Sequence, residues 1–323
     1  MMKKLTKVIS TAVAVASIAL LAACGKSTAK AATTDKTIKI GILQQINQTA
    51  LDDARKGFVA ELAKHGYKEG KNLKLDYLNA QGDQSNLKTM SQRLAKDKNT
   101  LNLAIATSAA QSMQQADSKT PLLFTAITDP KSAGLATNLK HPDKNATGVT
   151  DMVNVAGQIK LLKKLVPKAK TVGLLYNAAE ANSVMQIKLA KTALKAQGLK
   201  VVTKTVASTN DVSQTTQVLA KQVDAIYVPA DNTVAAAMAT VGKVSVATKT
   251  PVVAAASTMV QAGGTATNGI SYKELGRQTA KMALKIIKGK TPKQLAVESP
   301  DKVSVVVNRN MMKKLNIPVS RVK

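Results

Sequence analysis

Short apolar runs alternate along the chain with amphipathic stretches and polar loops. Thr37–Leu43 is apolar, and Gln44–Ala50 is a polar loop. Leu51, Ala54, Phe58 and Leu62 then recur at helical spacing up to His65. Gly66 ends that helix, and Leu73–Leu78 alternates as a strand does. Strand, loop, helix and strand in this order make the βαβ unit of a parallel sheet. The unit returns downstream: Thr171–Tyr176 is apolar, Asn177–Asn182 is polar, Ser183–Gln197 is helical, and Lys200–Val206 is a strand. Gly173 lies 132 positions after Gly41, and Gly198 lies 132 after Gly66. Lys249-Thr-Pro follows Lys119-Thr-Pro by 130. Matching punctuation over long stretches predicts two similar lobes.

The remaining periodicity fills in each lobe. Helices are predicted at Asp83–Lys96, at Asn154–Val166, at Asn210–Lys221 (with Asp211 at its start), at Thr233–Ala247 and at Leu275–Ile287, with a short one at Asn310–Leu315. Ser108 is placed to cap a helix after the strand Leu101–Ala106. Further strands are expected at Leu122–Thr125, Ala225–Val228, Pro251–Ala254 and Val303–Val307. Asn145–Thr150 reads as the crossing from the first lobe to the second, and Thr265–Ser271 as a strand forming the return crossing. The expected fold is α/β, two Rossmann-like lobes with parallel sheets and a cleft between them. Lobe 1 is expected to take 37–148 plus 270–292, and lobe 2 to take 149–269 plus 293–323. In open parallel sheets ligands bind beyond the carboxyl ends of the strands. That rule selects the loops Gln44–Ala50, Thr107–Ala109, Thr125–Asp129, Asn177–Asn182, Pro229–Asn232 and Ala255–Thr258 as the walls of one cleft.

The first 36 residues fit neither period. Lys3, Lys4 and Lys7 precede an apolar run, Val8–Ala23, with the flanks of a signal peptide (1–23). The run ends Leu21-Ala-Ala-Cys24-Gly25, which resembles the bacterial lipobox and implies a lipidated Cys24 as the first mature residue. Residues 24–36 are small and polar and read as a flexible tether. The folded part is therefore expected on the extracytoplasmic side, held to the membrane by lipid on Cys24. Cys24 is also the single cysteine, so disulfides and Cys-rich zinc sites within the chain are excluded.

The formal net charge of +28 raises the question of nucleic acid. Only five of the 47 cationic residues are Arg, the preferred reader of phosphates and base edges. The lysines are spread along helix faces and form no block in the sequence, and no nucleic-acid-binding signature is present. A solvated Lys-rich surface, suited to anionic envelope surroundings, is the expectation, with no nucleic-acid partner. His65 and His141 have no companion ligands nearby in sequence, so no metal is expected. The nucleotide-binding patterns GxGxxG and GxxxxGK[ST] are absent, and so is G-x-S-x-G; neither a cofactor nor an enzymatic activity is expected.

A set of segments resembles a known family: Leu51-Asp-Asp-Ala-Arg-Lys-Gly-Phe58, Asn79-Ala-Gln-Gly-Asp-Gln-Ser-Asn-Leu-Lys88, Ala106-Thr-Ser-Ala-Ala-Gln111, Phe124-Thr-Ala-Ile-Thr-Asp-Pro130, Glu180-Ala-Asn-Ser183, Ala225-Ile-Tyr-Val-Pro229 with Asp231-Asn-Thr233, and Tyr272 with Leu275-Gly-Arg-Gln278. They resemble the lipoprotein substrate-binding subunits of ABC importers of the tryptophan/tyrosine type, which have the type I periplasmic-binding-protein fold. The resemblance implies a monomer that captures a small solute, an amino acid and in particular an aromatic one, and hands it to separate permease and ATPase chains. It implies ligand contacts from Gln44 in the first loop, from Thr107, Ser108 and Ala109, from Thr128 and Asp129, from Asn182 and Ser183, from Asp231 and Asn232, and from Tyr272. The chain departs from the family at Gln45, Asn47 and Gln48, where an aromatic or acidic/His pattern is common. It departs again at Ala255-Ala-Ser257, where Gly-Asp-Glu is common; Asp231, Asp129 or Glu180 would then supply the missing carboxylate. Competing readings are a ligand-sensing lipoprotein, a nucleoside- or sugar-binding protein, and an extracytoplasmic hydrolase.

Overall fold

The computed structural model describes Thr37–Val322. The signal-peptide, tether and Cys24 expectations lie outside the described residues.

The first sheet has five parallel strands in the order β2-β1-β3-β4-β5. They are β1 (Ile38–Gln44), β2 (Leu73–Asn79), β3 (Leu101–Ile105), β4 (Leu122–Ile127) and β5 (Ala146–Thr150). The helices α1 (Thr49–Lys64), α2 (Gln84–Lys96) and α3 (Thr107–Ala116) connect the first four. β3, β4 and β5 are buried along their whole length, as strands covered on both faces must be.

Asn145–Thr150 is thus no crossing: Ala146–Thr150 is an edge strand paired in parallel with β4. Its Thr and Gly residues carry little apolar bulk, which hid the strand from a reading based on periodicity. A second correction concerns α3. Its N-cap is Ala106 at φ +83°, with no side-chain cap, and Ser108 lies inside the first turn.

The chain then builds the second lobe. Here α4 (Val155–Leu165) leads into β6 (Thr171–Asn177), α5 (Ala181–Ala196) and β7 (Lys200–Val206). A 3₁₀ turn, Thr209–Asp211, precedes α6 (Val212–Ala220), so the helix starts two residues later than expected. After β8 (Ala225–Val228), the predicted helix of 233–247 is two helices, α7 (Asn232–Ala236) and α8 (Met238–Thr248), separated at Ala237. β9 (Val252–Ala254), α9 (Ser257–Ala262) and β10 (Ala266–Gly269) follow. α10 (Tyr272–Ile287) returns to the first lobe, and β11 (Ser304–Val307) and α11 (Arg309–Lys314) close the second. The second sheet runs β11-β10-β9-β8-β6-β7, and β11 is antiparallel to β10. β10 belongs to this sheet, which confines the return crossing to Ile270–Ser271.

Three strands of chain therefore join the lobes: after β5, after β10, and through Leu295–Lys302. The third lies against the first sheet. Thr150 N donates to Glu298 O and Glu298 N to Gly148 O, each at 2.9 Å. α10 packs on α1 at glycines. A Cβ on Gly276 would stand 1.8 Å from Ala54 O, and one on Gly57 would stand 2.0 Å from Lys273 O. The two helices approach this closely because neither contact point carries a side chain.

Candidate ligand-binding site between the lobes

The carboxyl ends of both sheets face one another across a narrow cavity of about 10 Å³. That is room for about one water molecule, so the lobes must part to admit a solute. Its walls come from both lobes. Gln48, Ala50, Leu51, Ala126, Asp151 and Tyr272 lie on the side of the first sheet, and Asn182, Ala230–Asn232, Ala235, Ala256 and Met259 on the side of the second.

The lobes are closed on each other. Gln48 Nε2 donates to Asn232 Oδ1 across the cleft at 3.2 Å. Gln186 Nε2, on α5, donates to Thr128 Oγ1 at 2.8 Å, while its Oε1 accepts from Ala230 N at 3.0 Å. Thr128 passes the connection on, donating to Asp151 Oδ1 at 3.2 Å. Tyr272, at the start of α10, donates its hydroxyl to Asp151 Oδ2 at 2.8 Å. Asp151 thus sits where two lobe crossings meet. Its carboxylate accepts two neutral hydroxyls and faces no cation among the described residues, and burial raises its pKa above the ordinary range, partly offset by the Tyr272 and Thr128 hydrogen bonds. Burial, then the Asp151 charge, pushes the Tyr272 phenol well above its usual value, so it remains a donor.

The two carboxylates of the second lobe are differently placed. Asp231 Oδ2 accepts from Asn177 N and from Ser183 Oγ, each at 2.7 Å, and Oδ1 accepts from Val234 N at 2.8 Å as the cap of α7. Glu180 accepts from the backbone and side chains of Asn232 and Thr233 at 2.7–3.0 Å. Both are filled by their own lobe and clamp the loops Asn177–Glu180 and Ala230–Thr233 together. Burial and the neighbouring Glu180 charge push Asp231 up to about 8.

Of the residues expected at the site, Asn182, Asp231, Asn232 and Tyr272 line the cavity. Thr128 lies behind it, bridging Gln186 and Asp151. Gln44 is buried, its amide spent on Ile46 O and Asp52 Oδ1, and Gln48 is the loop residue that reaches the cavity. Ser183 is turned onto Asp231. Asp129 receives Lys131 N in a turn and does not line the cavity. Ala109 belongs to the core between α3 and the first sheet, and Ser108 lines a surface groove between α2 and α3.

Thr107 is buried at the carboxyl end of β3, and Ala106 N donates to Thr125 O at 3.1 Å, beside the cavity residue Ala126. Ala106 and Ala126 both hold positive φ, +83° and +57°. Left-handed backbone at two non-glycine positions beside one cavity is strain of the kind that concentrates at binding sites. Five buried polar atoms in the strand-end loops lack a partner among the described residues: Gln44 Oε1, Gln45 Oε1, Thr107 Oγ1, Asn182 Oδ1 and Thr258 Oγ1. Such atoms are rare in native proteins unless a ligand or water meets them. The residue missed by sequence reasoning is Asp151. It directly follows β5, so the strand-end rule would have selected it had Asn145–Thr150 been recognised as a strand.

Among the described residues no group of three or more His, Cys, Asp or Glu is placed to hold a metal ion. No described helix is long and apolar enough to cross a membrane.

Known proteins share this architecture. The chain is 32% identical to a tyrosine-binding protein of Clostridioides difficile over 98% of its own length and 94% of the relative's. A Streptococcus pneumonia ABC domain solved in complex with L-Trp is 38% identical, with a TM-score of 0.84, covering 89% of this chain and 98% of that one. The ligand-free, open structure of CD0873, a substrate-binding protein with adhesive properties from Clostridium difficile, is 40% identical, covering 87% and 95%. Its TM-score is only 0.67. The lobe arrangement here is therefore nearer the L-Trp complex than the open form, in agreement with the hydrogen bonds across the cleft. Residues 39–321 match the family described as ABC transporter substrate binding protein, and with two α/β lobes of the periplasmic-binding-protein type I arrangement the chain belongs to that family.

Proposed function

We propose that this chain is the lipid-anchored, extracytoplasmic binding component of an ABC importer, and that it captures an amino acid with an aromatic side chain and delivers it to a permease. The observation that carries the ligand assignment is Asp151: a buried carboxylate at the cavity, oriented by Tyr272 and Thr128, with no cation beside it among the described residues. A ligand ammonium supplies that missing charge. Leu51, Ala126, Ala235, Ala256 and Met259 form an apolar wall for the side chain. The ligand carboxylate is assigned to the start of α3, where the first N–H groups have no side-chain cap and Thr107 Oγ1 is unpartnered. Asp151 takes the role that the sequence had left to Asp231, Asp129 or Glu180. The ligands of the relatives, L-Trp in one and tyrosine in another, support the same class.

Calorimetric titration with L-Trp, L-Tyr, L-Phe, a nucleoside and a hexose tests the reading. Saturable 1:1 binding of at least one aromatic amino acid is expected, without turnover. Binding of the nucleoside or hexose alone would overturn the ligand class and leave the fold untouched. The anchor is tested separately by Cys24→Ser, which should release the protein from the membrane fraction.

A further inference from the structure

Lysines that are scattered in the sequence meet at the far end of the second lobe, where its helices finish and its strands begin. Lys200 N donates to Lys170 O, and the backbone N–H groups of Lys170 and Thr171 both reach Asp224 Oδ2. Lys249 Nζ bonds Lys314 O, Lys163 Nζ bonds Ala169 O, and Arg321 bonds Leu165 O. Lys164, Lys168, Lys195, Lys221 and Lys313 stand in the same helix ends and the turns that follow them. All eleven side chains except the half-buried Lys163 are exposed, and none forms an ion pair with a carboxylate among the described residues.

Cations at helix ends can simply answer the helix dipoles. The magnitudes exclude that as the full account. Five helix ends carry roughly −0.5 each, and Asp224 adds one negative charge, which leaves more than half of the eleven positive charges unanswered. Concentrated like charge costs stability unless a polyanion neutralises it.

We propose that this pole is a docking surface for a linear phosphodiester polymer without bases. Ten of the eleven cations are Lys, which meet phosphate as hydrated point charges and do not read bases bidentately. No aromatic ring lies among the pole residues named above, so the stacking that holds single-stranded nucleic acid is missing. β1 begins at Ile38 in the other lobe, so the chain does not enter the fold at this pole. The surface is thereby left to a polymer, and a bilayer is the less suited occupant.

The test is fluorescence anisotropy of the full chain with labelled poly(glycerol phosphate), between about 50 and 200 mM salt. K164Q/K168Q/K170Q/K200Q is compared with K74Q/K88Q/K131Q/K281Q, which removes the same charge from the first lobe and α10. The pole variant should bind about tenfold more weakly or worse, with a salt slope lower by about 0.7 per lysine removed; the control should stay close to wild type. Equal losses in both variants would reduce the effect to net charge and overturn the proposal. Tighter binding to a matched oligodeoxynucleotide, or to anionic vesicles with indifference to the polymer, would overturn it too. Acetylation footprinting of the wild-type chain needs no variant. Polymer should protect Lys168, Lys170 and Lys200 but not Lys74 or Lys88; uniform protection would refute localisation.

Discussion

Asp151→Asn removes one charge and almost no volume from the cavity. In the wild type the carboxylate accepts Thr128 Oγ1 at 3.2 Å and Tyr272 OH at 2.8 Å. The amide keeps one acceptor oxygen, so one hydroxyl stays bound and the other must turn. The removed charge had been expensive to bury, and this offsets the weakened hydrogen bond. Apo stability should therefore move by about 1 kcal/mol at most, or a few degrees in Tm. Ligand binding should suffer much more. Leaving a buried ammonium without its charge partner costs about 2–5 kcal/mol, which is roughly thirty-fold to a few thousand-fold in Kd. Calorimetry on both proteins should use L-Trp and indole-3-propionate, which keeps the ring and carboxylate but lacks the ammonium. The variant should lose L-Trp affinity by the factor above and change little toward the propionate. An intact D151N protein that binds L-Trp within about threefold of wild type would refute the assignment of Asp151 as the ammonium partner.

Three further outcomes are expected. Gly276→Ala places a Cβ 1.8 Å from Ala54 O, which must push α10 off α1. Thermal unfolding should show a loss of about 3 kcal/mol or more and a Tm lower by at least about 6 °C. Gln186→Ala breaks the bridge from Ala230 to Thr128 and leaves a backbone N–H unpaired, at a cost of about 1–3 kcal/mol. Stopped-flow kinetics should show a faster ligand off-rate, and X-ray scattering a larger apo radius of gyration. Stability should also depend on pH in two opposite ways. Asp231 is raised to about 8 and Asp151 is raised as well. The folded state therefore holds protons that the unfolded chain has released, and stability falls as pH climbs toward 8. Asp117, Asp143 and Asp211 are lowered, so their contribution is lost as pH drops through their folded pKa values. A Tm profile measured from pH 4 to 9 should peak on the acid side of neutrality, and a Tm still rising at pH 8 would contradict the Asp231 environment.

Much of the site was legible in the chain because strand ends are. The carboxyl ends of β1, β4, β6, β8 and β9 and the segments that follow them supply Gln48, Ala126, Asn182, Asp231, Asn232 and Ala256, and each had been marked by an apolar run that stops. Tyr272 was reached through the family resemblance. Strand β5 was not legible. Thr147, Gly148 and Thr150 imitate a loop in composition, and only pairing with β4 makes them a strand. The error carried Asp151 away with it. Ser108 was read as a cap on residue type alone, but the backbone turns two residues earlier at Ala106.

Local order in this protein follows from neighbours in the chain. Helical spacing, glycine stops and apolar runs act over a few residues, so two repeated α/β lobes and their facing loops could be read without coordinates. The roles of the charged groups could not, because each is decided by what distant segments bring. Asp231 is occupied by Asn177 and Ser183, 54 and 48 positions away, while the Asp151 side chain is met, among the described residues, by the Thr128 and Tyr272 hydroxyls alone. The same holds for the lysines: dispersed along the sequence, they become one surface only because parallel strands start, and their helices end, at the same edge of the sheet.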